Sequence, residues 1–159
     1  MNNLDNPEIL SDEIVDAIEL IITQIPDAIF GGSIALNAVG LLNRKVSDID
    51  VFFRQGQSLT RNGFMSIPST EVLSDTVTDT NGNNIQRTGL KVKNIKVCAF
   101  KVSDAELQCS FTTFIRRNRI WKINIQNVNY AIQAKIAYAN KNPKHKADLL
   151  GIESILNSI

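Results

Sequence analysis

The sequence predicts an α/β (α+β) fold, a mixed β-sheet with flanking helices. Three observations carry this expectation. Apolar residues recur at helical spacing near both ends of the chain and once between them. β-Branched and alternating segments fill the middle. The elements therefore run helix, strand, helix, strand, several strands, then helices, an order that suits helices packed on a mixed sheet. With 159 residues, 43% of them apolar, the chain is long enough for one compact domain. A single domain is expected over 1–159, with a core at 26–125 and C-terminal helices at 127–159.

Asn6-Pro7 reads as a helix entry, with Pro7 at the first helical position. Leu10, Ile14, Ile18, Ile21, Ile22 and Ile25 follow at helical spacing, and Pro26 ends the run. Asp27 to Phe30 is a short strand leading into a Gly-Gly turn. Ser33 to Leu42 is helical through Ile34, Leu36, Ala38 and Leu41-Leu42, with Ser33 placed to cap it. Ile49 to Phe53 is the next strand. Arg54 to Ser69 is polar and broken by Gly56, Gly63 and Pro68, a loop.

A hairpin is expected over Glu71–Thr80 and Ile85–Lys93, turning at Asn81-Gly82. Ile95 to Val102 alternates weakly. Glu106 to Phe114 alternates clearly, with Leu107, Cys109 and Phe111 on one face and Glu106, Gln108 and Ser110 on the other. Arg119 to Ile125 adds a short strand, in which Trp121 reads as a core residue. Val128 to Asn140 and Lys146 to Ile155 are helices, with Pro143 starting or interrupting the second.

A net charge of +1 gives no strong electrostatic steering, so it neither implies nor excludes a nucleic-acid partner. Cys98 and Cys109 lie in apolar contexts without ligand-like spacing, and read as reduced core residues. The N-terminus, Met1-Asn2-Asn3-Leu4-Asp5, has no secretory character, and the longest apolar run is far too short to span a bilayer. A soluble, cytoplasmic protein without membrane contact is expected.

Function speaks from two short segments. Ile29-Phe30-Gly31-Gly32-Ser33 places a glycine turn at a helix start, where backbone N–H groups can approach an anion closely. Ser47-Asp48-Ile49-Asp50-Val51-Phe52-Phe53 then puts two carboxylates at i and i+2 of a strand, hence on one face. Adjacent carboxylates repel one another and invite a divalent cation. Magnesium suits such hard oxygen ligands, and it completes its shell with water and substrate phosphates. A phosphate cradle and a metal-holding pair in consecutive elements make a site for a nucleoside triphosphate.

The order Gly-Gly-Ser, helix, Asp-x-Asp strand resembles the signature of the nucleotidyltransferase superfamily, the fold of DNA polymerase beta. The resemblance covers residues 29 to 53. It implies a minimal nucleotidyltransferase fold, in which Gly31, Gly32 and Ser33 hold the triphosphate and Asp48 and Asp50 hold metal. It also implies a third carboxylate on a later strand and two magnesium ions. Glu106 is the candidate, with Gln108 on the same face the alternative and Asp104 a weaker one; Gln108 there would mean a lost ligand. Tyr130 to Tyr138, then Lys144-His145-Lys146-Ala147-Asp148-Leu149, resembles small AbiEii-type toxin nucleotidyltransferases. That likeness implies that Lys135 contacts phosphate or base and that Asp148 orients it or acts as a base. The implied activity moves a nucleoside monophosphate from a nucleoside triphosphate to a hydroxyl of RNA, protein or a small molecule. An antitoxin or other protein partner is a further implication. The alternative is a non-catalytic module of the same fold, within a phage or mobile element, that binds nucleotide or a partner. Read without the resemblance, Lys135 is a snorkelling helix lysine, Glu106 a solvated strand-edge residue, and His145 a solvated member of a basic cluster.

Overall fold

Helix α1 spans Asp12–Gln24 in the computed structural model, which describes residues 2–78 and 82–158. It starts later than Pro7 because Ser11 is the better cap. The Ser11 hydroxyl accepts the Ile14 N–H at 3.4 Å, and Asp12 and Glu13 fill the positively polarised first turn. Asn3–Asp5 instead forms a short 3₁₀ turn held by the Asn2 side chain. Ile14, Val15, Ala17, Ile18 and Ile21 are buried against the sheet. Each large aliphatic among them contributes roughly 1.5–3 kcal/mol of burial.

The sheet has seven strands and mixed pairing. They are β1 (Ile29–Phe30), β2 (Asp48–Arg54), β3 (Val72–Thr78), β4 (Asn84–Val92), β5 (Ile95–Val102), β6 (Cys109–Arg116) and β7 (Arg119–Gln126). Their order across the sheet is β3-β4-β5-β2-β1-β7-β6. β2 runs parallel to β5, and β1 runs antiparallel to β2 and parallel to β7. The β3–β4 hairpin forms as expected, although Asn81 of its turn lies outside the described residues. Two-residue turns at Lys93-Asn94 and Arg117-Asn118 have positive φ at all four positions, the conformation that matches strand twist.

Helix α2 spans Gly32–Ala38. Gly31 is its N-cap, so Ser33 lies inside the first turn rather than capping it, and Gly40 at φ 78° ends the helical run. The alternation beginning at Glu106 is not a strand at its start. Asp104–Leu107 is a 3₁₀ turn, closed by the Glu106 N–H donating to the Ser103 carbonyl at 3.1 Å, and β6 begins only at Cys109. The register pairs Phe114 with Trp121, so even-numbered β6 residues face inward. Cys109 is therefore exposed, whereas Cys98 is buried as expected of a core thiol.

Helices α3 (Val128–Tyr138) and α4 (Pro143–Asn157) close the chain. Pro143 takes the first helical position, and the Asn142 side chain accepts the Lys144 N–H at 2.9 Å. The main core lies between α1, α2 and one sheet face, around Phe30, Ile49, Val51, Val97, Ile123 and Ile125. A smaller cluster of Leu36, Leu42, Ala131 and Ile152 ties α3 and α4 to α2. Residues of α3 and of the start of α4 also line one cleft with Asp48, Asp50 and Phe52 of the other sheet face. No described helix is long and apolar enough to cross a membrane.

Candidate active site

Strand β2 divides its side chains between two environments. Ile49, Val51 and Phe53 enter the core, and Asp48, Asp50 and Phe52 face the opposite side. The parallel register sets Lys96 beside Asp48, Cys98 beside Asp50 and Phe100 beside Phe52. The Phe52 and Phe100 rings stack with centroids 5.3 Å apart. These residues floor a cleft of about 450 Å³, roofed by Tyr130, Lys135, Tyr138, Lys144 and His145 from α3 and α4.

The glycine turn is drawn against β2 by the Gly31 N–H, which donates to the Asp50 carbonyl at 3.0 Å. Gly32 sits at φ 54°, and a Cβ there would stand 2.5 Å from the Asp50 Oδ2. A Cβ on Gly31 would run into the Phe52 ring and come within 2.9 Å of the Gln126 Oε1. The turn thus needs glycine twice, once for each side chain that β2 presses on it.

Burial raises the Asp50 carboxyl to about 6, and the neighbouring Asp48 adds to the rise against the pull of Lys135, Lys96 and Lys144. Two acids on one face thus sit in a ring of lysines. Burial, then Asp50, likewise pushes the Cys98 thiol up to about 11, so it stays protonated.

Behind the roof stands Asp148, 4% exposed. Its Oδ2 accepts from the Lys135 Nζ at 2.8 Å and the Arg44 Nη2 at 2.7 Å, and its Oδ1 accepts from the Arg44 Nε at 2.6 Å. Burial alone would push this carboxyl up, but the hydrogen bonds from Arg44 and Lys135 outweigh it and hold the group at about 2. Asp148 therefore orients Lys135 and Arg44. With both oxygens engaged and so low a proton affinity, it is unsuited to act as a base.

Gly32, Ser33, Asp48, Asp50, Glu106 and Lys135 line the same cleft, with Gly31 beneath it against Phe52. Glu106 is buried, and it does not join Asp48 and Asp50 in a group able to hold a metal ion. It sits on a 3₁₀ turn rather than on a strand, and its carbonyl accepts the Gln126 Nε2 at 2.7 Å, which holds the turn near the Gly31 backbone. Gln108 is exposed and borders a different cavity beside Val39 and Cys109, so it does not take the third-acid place. Asp104 is exposed and does not line the cleft. Among the described residues, no group of three His, Cys, Asp or Glu could hold a metal ion. The donors that fit magnesium are the two carboxylates of Asp48 and Asp50, enough for one ion whose shell is completed by phosphate and water. The expected three-acid group is therefore not assembled among the described residues, and Glu106 comes from a 3₁₀ turn rather than from a strand facing β2.

No protein-family model, curated protein or solved structure matches this chain. The site must be argued from its own residues.

Three contributors carry no signal read from the sequence, Arg44, Lys96 and the Phe52–Phe100 stack, and Lys144 entered only as part of a basic cluster. Arg44 sits in a loop and meets Asp148 across 104 positions, which no local pattern signals. Lys96, Cys98 and Phe100 do alternate with buried Val97 and Ala99, so the weak periodicity of that strand held a usable cue. Lys144 donates to the Ser47 Oγ at 3.0 Å, pinning the α4 entry beside Asp48.

Proposed function

We propose that this chain is a magnesium-dependent nucleotidyltransferase that moves a nucleoside monophosphate from a nucleoside triphosphate to a hydroxyl acceptor. The observation that carries this reading is the Asp48–Asp50 pair on one strand face, with the Asp50 carboxylate lying against the Gly32 backbone inside a lysine-ringed cleft. A magnesium ion held by Asp48 and Asp50 would supply Lewis-acid activation and neutralise phosphate charge. The chain's own groups do the rest. Gly32 and Ser33 offer first-turn N–H groups that have no partner within the helix, suited to an oxyanion. Lys135, fixed by Asp148, presents a cation of constant position to a bound phosphate. The stacked Phe52 and Phe100 rings give the cleft an apolar end, away from Asp48, that suits a planar base.

The acceptor hydroxyl belongs to RNA, a protein or a small molecule, and an antitoxin or other protein is a separate proposed partner. Incubation with each α-labelled nucleoside triphosphate, magnesium and a cell extract tests the reading, with a labelled product expected. A second reading, a nucleotide-binding module without transfer, is favoured by the absence of a three-acid group among the described residues. Magnesium-dependent nucleotide binding with no labelled product from any extract or nucleotide would establish that module.

A further inference from the structure

Seven ionisable side chains with a positive or titratable nitrogen line the cleft: Arg44, Arg87, Lys96, Lys135, Lys141, Lys144 and His145. Among the described residues, the ion pairs engage three of them. Asp148 holds Arg44 and Lys135, and Asp75 holds Arg87. Lys141 and Lys144 are exposed at the corner between α3 and α4, and neither joins an ion pair there. Lys144 is not loose, because its Nζ donates to the Ser47 hydroxyl next to Asp48.

His145 adds a different kind of group. It is half-buried, and its Nδ1 is sealed from solvent without a hydrogen-bond partner among the described residues. An unpartnered buried N–H costs more than an unpartnered lone pair on a weak acceptor, so the proton belongs on Nε2. That leaves Nε2–H as the edge able to meet a ligand in the cleft. Burial, then Lys135, holds the imidazole below its ordinary value, with Lys144 and Arg44 adding to the fall and Asp148 opposing it. It is therefore a neutral donor at pH 7.

We propose that Lys141, Lys144 and His145 form a polyphosphate clamp at the α3–α4 corner, which takes the terminal phosphates of a nucleoside triphosphate. The inference rests on the nucleotide reading of the same cleft, but it assigns the phosphate tail to the roof, facing the Gly32-Ser33 turn across Asp48 and Asp50. Two cations that no described carboxylate neutralises and a neutral N–H donor match the negative charge and many acceptor oxygens of such a tail. Lys96, on the floor beside Asp48, would face the same phosphates.

The probe is inorganic tripolyphosphate without metal, which separates the clamp from transfer chemistry. His145 is the sole histidine, so a histidine-labelled protein gives a single imidazole signal in NMR. Tripolyphosphate should shift that signal in a saturable way, and calorimetry should show about tenfold weaker binding for Lys144→Gln and for His145→Gln. Lys146→Gln, on the same helix but away from the cleft, should bind as the wild type does. Lys141→Gln, an exposed position, should weaken binding by a few-fold and guards against a variant that misfolds. No binding, an unmoved imidazole at saturation, or equal losses for Lys144→Gln and Lys146→Gln would each overturn the clamp. Saturable binding with the losses expected for Lys144→Gln and His145→Gln, together with no nucleotidyl transfer, would uphold the clamp while removing the enzyme reading.

Discussion

The Lys135 ammonium donates to the Asp148 carboxylate over 2.8 Å, between two helices that pack side by side at the end of the chain. Both groups are more than nine-tenths buried, and Arg44 reaches in from the loop before β2 to grip the same carboxylate. One acid thus positions two cations and joins three chain segments. This makes it a stability determinant as well as a site determinant.

Removing that acid leaves buried positive charge unpaired. Asp148→Ala should destabilise the protein by about 3–5 kcal/mol, read as a lower urea midpoint at pH 7, and Asp148→Asn by less. Because the folded carboxyl lies below its ordinary value, its stabilisation is complete above about pH 4 and disappears as pH falls toward 2. The difference between wild type and Asp148→Asn should therefore narrow in acid. A constant difference from pH 7 to pH 2.5 would show that the ion pairs contribute nothing.

Asp50 behaves in the opposite sense. Its folded value of about 6 lies above the ordinary 3.8, so its charge costs stability as pH rises through that window. Asp50→Asn should stabilise the metal-free protein at pH 7.5, by on the order of 1–3 kcal/mol, and change little at pH 4. Thermal melts at the two pH values measure this. Magnesium should raise the melting temperature of the wild type at pH 7.5 but hardly at pH 5, where the carboxyl is protonated, and should not do so for Asp48→Asn.

The glycine turn predicts a coupling. Gly32→Ala places a Cβ at φ 54° and 2.5 Å from the Asp50 Oδ2. The conformation alone costs about 1–2 kcal/mol, and the displaced carboxylate adds to it. In an Asp50→Ala background only the conformational part should remain. A double-mutant cycle by chemical denaturation reads the difference, and additive effects would show that the contact carries no energy.

The sequence patterns that proved legible are the local ones. The alternation from Ile49 to Phe53 fixes which face carries Asp48 and Asp50, and the matching strand at Ile95–Val102 has the expected bounds. Ser11 shows why the first boundary was misplaced: a proline at a plausible first position competed with a true hydroxyl cap five residues from the expected entry. Glu106 shows a subtler failure. Four residues of 3₁₀ helix followed by a strand mimic a longer alternating strand, so Glu106 was read as a strand residue when it belongs to the turn before β6. The Arg44–Asp148 pair and the Lys144–Ser47 contact span about a hundred residues, and only the folded chain brings them together.

The central claim is tested most directly by supplying α-labelled and γ-labelled nucleoside triphosphates in parallel, with magnesium and extract, to the wild type and to the Asp48→Ala, Asp50→Ala double variant. Wild type should transfer the α-label and never the γ-label. The double variant, folded by circular dichroism, should transfer neither. Label transfer by the double variant at the wild-type rate, or γ-label on the product, would contradict the account.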